Sequence, residues 1–109
     1  MKFNLLINPI HFWQDSNDHA LKLVQSMINH GHQINAVFFY GESSQIAAKP
    51  DLQLSWQKLI QQQSFDLLIC RTMIENHEIK PQLEPEFKIV GMSHLTLAME
   101  QSDRTVELV

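Results

Sequence analysis

Apolar and polar positions change period along this chain, and the changes cut it into alternating short segments of two kinds. Phe3 to Ile7 is a largely apolar run stopped by Asn8-Pro9, which predicts a first strand. Ala20, Leu23, Val24, Met27 and Ile28 then recur at the spacing of one helical face, with Asp15, Ser16 and Asn17 as candidate caps ahead of them. Gly31 stands where that helix should end, with His30 in its last turn. Gln33 to Tyr40 is nearly continuous in apolar character, the pattern of a strand buried on both faces. Gly41-Glu42-Ser43-Ser44 opens a loop that runs to Pro50, longer than usual between a strand and a helix. Asp51 can cap the next helix, whose buried stripe is Leu52, Trp56, Leu59 and Ile60, and Gln61-Gln62-Gln63 reads as its solvated end.

The second half repeats the alternation. Phe65 to Ile69 has the length and residue types of a buried strand, and Cys70 falls where it should stop. Thr72 can cap a short helix through Ile74 and Glu75, inside a polar stretch from Arg71 to Glu86 that carries Pro81 and Pro85. Phe87 to Val90 predicts a fourth strand closed by Gly91, and Ser93 a cap for a helix with Leu95, Ala98 and Met99 on one face. Ser102-Asp103 turns the chain into Arg104 to Val109, where Thr105, Glu107 and Val109 alternate with Val106 and Leu108. Strands that alternate with helices need crossover connections. The pattern therefore predicts one three-layer α/β/α domain over residues 1–109, its five-stranded sheet mainly parallel and flavodoxin-like in outline. Chemistry in such sheets collects at the carboxyl ends of the strands. Asn8–Trp13, Gly41–Pro50, Cys70 and Gly91–His94 should then share one rim.

Charge and composition remove several classes of function. The formal charge is −4, and the 8 Lys and Arg residues are scattered, whereas direct nucleic-acid binding or an anionic membrane surface calls for clustered cations. One cysteine makes no internal disulfide, and the apolar run at the N-terminus is short for a signal peptide. A cytoplasmic protein is the expectation. Three widely separated glycines offer no phosphate cradle for a flavin, and no nucleophilic serine elbow is present.

Cys70 is the residue with chemistry to offer. A thiol between a strand end and a helix start lies near free amide N–H groups and the positive end of a helix dipole, which favour the thiolate. The same position also suits an inert core thiol, because free cysteine is among the most buried residue types. Arg71 is a candidate to steady the anion, with solvent or Glu75 as its other destinations. Among the six histidines, His30 and His32 flank Gly31 at a helix end, and His11, His77 and His94 sit in loop or helix-start positions that could reach the rim. His94 is the candidate rim neighbour of Cys70. No histidine pair has the i, i+4 spacing of an H-E-x-x-H site, the lone cysteine makes no CxxC site, and thiol chemistry here calls for no metal or organic cofactor. At a rim, Cys70→Ser is expected to leave the fold intact, since the serine would reach water or backbone.

Three ordered stretches carry a family resemblance: Gly31-His32 followed by Val37-Phe38-Phe39-Tyr40; Trp56 and Leu59 ahead of the strand into Cys70; and Gly91, Leu95 and Ala98 before Ser102-Asp103-Arg104. Over essentially its whole length the chain resembles the DsrE/TusD family of intracellular sulfur-relay proteins. The resemblance implies a small α/β domain in which Cys70 carries sulfane sulfur as a persulfide and passes it to a partner's cysteine. It also implies partner proteins as sulfur donor and acceptor, and a pathway ending in tRNA thiolation or in sulfur oxidation. Trimers or hexamers, homo- or hetero-oligomeric with sister subunits, are implied as well. The alternative is a non-catalytic assembly subunit with a buried Cys70. The stretch after Tyr40 is shorter here than in TusD-like members, and Arg71, Met73 and Ile74 are bulkier than the residues that commonly follow the family's cysteine.

Overall fold

β1 (Lys2–Ile7), β2 (Gln33–Phe39), β3 (Asp66–Cys70), β4 (Phe87–Val90) and β5 (Arg104–Leu108) form one sheet in the computed structural model, which describes residues 1–109. The strand order is β4-β3-β2-β1-β5, and every neighbouring pair is parallel. The helices between them are α1 (Trp13–Asn29), α2 (Pro50–Gln62), α3 (Arg71–Asn76) and α4 (Met92–Glu100). The parallel α/β architecture expected from the alternation is present. β5 stops one residue early and β2 ends at Phe39 rather than Tyr40.

The direction of the crossovers divides the helices between the faces. From β1 to β4 each step moves to the next neighbour in one direction, so right-handed connections put α1 and α2 on one face. The return from β4 to β5 runs the other way and puts α4 on the opposite face. Packing follows this rule. Ala20, Val24, Met27, Trp56 and Leu59 share a core with Leu5, Ile7, Val37, Phe39, Leu67 and Ile69, while Leu95 and Ala98 cover Ala36, Phe38, Leu68, Cys70 and Val90. The second face is thinly covered. A helix of nine residues is about 14 Å long, and five strands about 4.8 Å apart span about 19 Å. Leu97 and Met99 on α4 are accordingly about half exposed.

Helix starts differ from the capping expectations, for tertiary reasons. α1 begins at Trp13, which is buried, and Phe12 at its N-cap makes no side-chain bond. Asn17 and Ser16 are inside the helix and bond outward: Asn17 Oδ1 accepts the Trp56 indole N–H at 2.8 Å, and Ser16 Oγ donates to Val109 O at 3.3 Å. α2 starts with Pro50, α3 with Arg71 and α4 with Met92, so Asp51, Thr72 and Ser93 lie within first turns rather than at caps. Packing and backbone shape outweigh the roughly 1 kcal/mol a capping side chain supplies.

The largest departure is the expected loop after β2. Gly41–Ala48 is a 3-10 helix, with Ile46 and Ala47 fully buried. Ser43 Oγ lies 2.8 Å from Ile7 O and 2.7 Å from Tyr40 O, so one hydroxyl clamps the ends of β1 and β2. Gly41 takes φ +60, and a Cβ there would meet Asn8 Oδ1 at 3.0 Å. The glutamine tract is not merely solvated either: Gln63 accepts the Ile34 N–H and donates to His32 O, tying α2 to the start of β2.

Two buried amides contrast. Gln53 on α2 donates to Ile46 O and Gln82 O and accepts the Glu84 N–H, holding the segment after α3 against the 3-10 helix. Asn4 on β1 is equally buried, with neither amide atom bonded. Gln53→Met keeps the side chain's length and strands three backbone groups, so it should cost about 2–3 kcal/mol. The check is a lower urea midpoint at unchanged slope.

Helix ends supply a second test. α1 closes with Gly31 at φ 80 and the His32 N–H bonded to Met27 O at 3.0 Å. α3 closes in the same way, with Ile79 N–H on Ile74 O at 3.0 Å, but its left-handed residue is Glu78 at φ 51. Glu78→Gly should stabilise by about 0.5–1 kcal/mol. Gly31→Ala, whose Cβ meets nothing within 4 Å, should cost about 1 kcal/mol through backbone strain alone. Equal shifts in the two unfolding midpoints would contradict this.

Candidate functional site

Where β3 and β4 end, the chain parts to opposite faces. Ile74 of α3 packs in the core shared with α1 and α2, whereas α4, leaving β4, packs through Leu95 and Ala98 on the other side. Adjacent strands whose following segments separate leave a crevice outside their carboxyl ends, the usual ligand site of open α/β sheets. Cys70 and Val90 are register partners at that point.

Cys70 closes β3 and is also the N-cap residue of α3, with φ −67 and ψ 120. The strand runs one residue further than its apolar pattern indicates, so the thiol belongs to the sheet rather than to the loop. Its side chain turns toward α4, among Ala36, Phe38, Leu68, Val90, Leu95 and Ala98, and is 0% exposed. Met73 and Tyr40 pack against the same group from its edge. Cys70 Sγ lies 3.8 Å from Met92 Sδ. Met92 opens α4 and is 44% exposed.

The other candidates are placed elsewhere. Arg71 donates from Nη2 to Ile89 O at 3.3 Å; its guanidinium is held on the backbone of β4, against neither the thiol nor Glu75. His94 lines a cleft of about 150 Å³ with Asp66, Lys88 and Gln101, and Cys70 is not one of its walls. His77 Nδ1 is 3.9 Å from Glu42 Oε1, and His11 is exposed. His30 Nδ1 donates to Ser26 O at 2.7 Å, the helix-end role expected of it. Of the sequence candidates, only Cys70 stands at this point of the sheet, and it is buried there against α4. Met92 was missed. Its signal was its place directly after a strand-ending glycine, two positions before the histidine that drew attention.

A parallel sheet wound to both faces, with a lone thiol at its switch point, defines a class of small α/β protein with candidate cysteine chemistry. The profile of the DsrE/DsrF-like family matches residues 1–108, and the chain belongs to that family. It is 27% identical to the putative sulfurtransferase DsrE of Allochromatium vinosum, over 97% of each chain. It is likewise 27% identical to the sulfurtransferase TusD of Cronobacter sakazakii, over 98% of this chain and 99% of the relative. These alignments run over 126 and 127 positions against 109 residues, so each relative carries segments that this chain lacks. The crystal structure of the ychN protein from E. coli superposes with a TM-score of 0.79 at 13% identity, covering 99% of both chains, and shares the fold.

Burial changes the expectation for Cys70→Ser. A hydroxyl set among apolar side chains loses water without gaining a partner, at a cost of about 2 kcal/mol. Cys70→Ala leaves only a small void, costing about 1 kcal/mol. Urea titration should rank wild type above alanine and alanine above serine. A serine variant as stable as wild type would mean that position 70 is wet.

Proposed function

We propose that this chain carries sulfane sulfur as a persulfide on Cys70 and passes it to a cysteine of a partner protein. The observation that carries the reading is the position of its single cysteine at the carboxyl end of β3, where the chain parts to opposite faces, in a chain that aligns end to end with named sulfurtransferases. The Cys70 thiolate attacks the outer sulfur of a donor persulfide. The donor's S–S bond breaks, a donor thiolate leaves, and Cys70–S–SH remains. An acceptor thiolate then takes that outer sulfur and regenerates the Cys70 thiolate. Each step exchanges one S–S bond for another, with no net oxidation.

Donor and acceptor are proteins in this reading, and the chain works in a trimer or hexamer, of its own copies or with sister subunits. The half-exposed Leu97 and Met99 on the thinly covered α4 face support an assembly. The delivered sulfur serves tRNA thiolation or sulfur oxidation, and the tRNA thiouridine content of a deletion strain separates the two. The second reading is an assembly subunit with an inert thiol, favoured by the complete burial of Cys70.

Incubation with a persulfide-loaded donor should add the mass of one sulfur atom, removable by reductant and absent in Cys70→Ala. Equal uptake by the alanine variant would show that this residue is not the carrier. No uptake by the wild type from any protein donor would leave the assembly reading.

A further inference from the structure

We infer that Met92 is the gate to Cys70 and sets which sulfur species reach it. The inference deepens the reading of Cys70 as a sulfur carrier, while its geometry stands on the fold alone. Cys70 is 0% exposed, so no reagent meets Sγ until something moves. Phe38, Leu68 and Val90 lie in hydrogen-bonded strands of the sheet. Leu95 and Ala98 hold α4 to the sheet, and displacing them would expose the face they cover. Met92 Sδ lies 3.8 Å from Sγ, and the residue stands nearly half in solvent. Its side chain is unbranched with rotatable bonds throughout, so a change of rotamer uncovers the thiol without breaking a backbone bond. Exposed side chains make such changes in picoseconds to nanoseconds.

The loaded state points the same way. A persulfide extends about 2 Å beyond Sγ, and the Met92 sulfur lies only 3.8 Å from it. An outer sulfur directed out through this portal overlaps the closed thioether, so Met92 must swing aside to load Cys70 and stay aside while it is loaded. Met73 and Tyr40 flank the same cluster. A donor protein therefore reaches Sγ only with the projecting sulfur of its persulfide, once Met92 has moved, and a bulky reagent is held out.

The test is alkylation of Cys70 in the full-length chain, with iodoacetamide as the small probe and a bulky aryl maleimide as the large one. Wild type, Met92→Ala and Met92→Leu are compared at urea concentrations below the unfolding transition. The alanine variant should react with iodoacetamide at least tenfold faster than wild type, with a larger gain for the maleimide. The leucine variant, which still fills the portal, should stay within threefold of wild type. Met92→Ser stands in, with the same expected gain, if the alanine chain does not fold. An alanine rate within twofold of wild type overturns the gate, as does a leucine rate equal to that of alanine. So does labelling that climbs with urea along the unfolding equilibrium, because Cys70 would then be reached by global opening. No sulfur donor enters this assay. A chain that accepts no sulfur yet responds to Met92 loses the relay and keeps the gate; one that accepts sulfur but labels independently of Met92 keeps the relay and loses the gate.

Discussion

The handedness of parallel crossovers decides more about this molecule than any single contact. Three successive connections step across the sheet in one direction, and the last, the shortest in residues, returns across it. Because each is right-handed, the return must lie on the opposite face. That places a deep core on one side, built around Trp56 and Phe39 in edge-to-face contact at 5.4 Å, and a shallow one under α4 on the other. It also fixes the one place where neighbouring strands lead to opposite faces, and Cys70 is there.

Buried polar groups then hold the connecting segments to this frame. The Asn17–Trp56 bond links α1 to α2 inside the core, and Ser43 joins the ends of β1 and β2. Gln53 fastens the segment after α3, which has little regular structure of its own. At the opposite edge, Asp103 and Lys2 exchange two bonds, Lys2 N–H to the Asp103 carboxylate and Asp103 N–H to Lys2 O, and so set β5 beside β1. Such bonds add little net energy where water competes, but inside they are expensive to lose, which is why they locate the segments so firmly.

In the proposed relay two demands oppose each other around Cys70. Apolar neighbours protect a thiol from casual oxidation and stabilise the sheet, yet thiol exchange needs access to sulfur. The proposed gate would reconcile them: the strands and α4 stay packed while the flexible Met92 side chain moves.

Much of the fold was legible in the sequence because burial on both faces of a parallel sheet leaves a mark in local composition. The runs at Phe3–Ile7, Gln33–Tyr40 and Phe87–Val90 and the stripe from Ala20 to Ile28 needed no partner to be recognised. Cys70, too, stood out as the single thiol at a strand end. What the sequence alone left open were the positions whose roles depend on residues far away in the chain. Asn17 carries the pattern of a cap but bonds Trp56 across 39 residues, and Gln53 looks like any surface glutamine while its partners lie in two other segments. Gly41–Ala48 has loop composition and becomes core because β1 and β2 end beside it. Met92 acquires its place over Cys70 only when α4 is carried to the far face, 22 residues on. Periodicity records which side of an element is buried; which distant group lies against it is decided by the path of the chain.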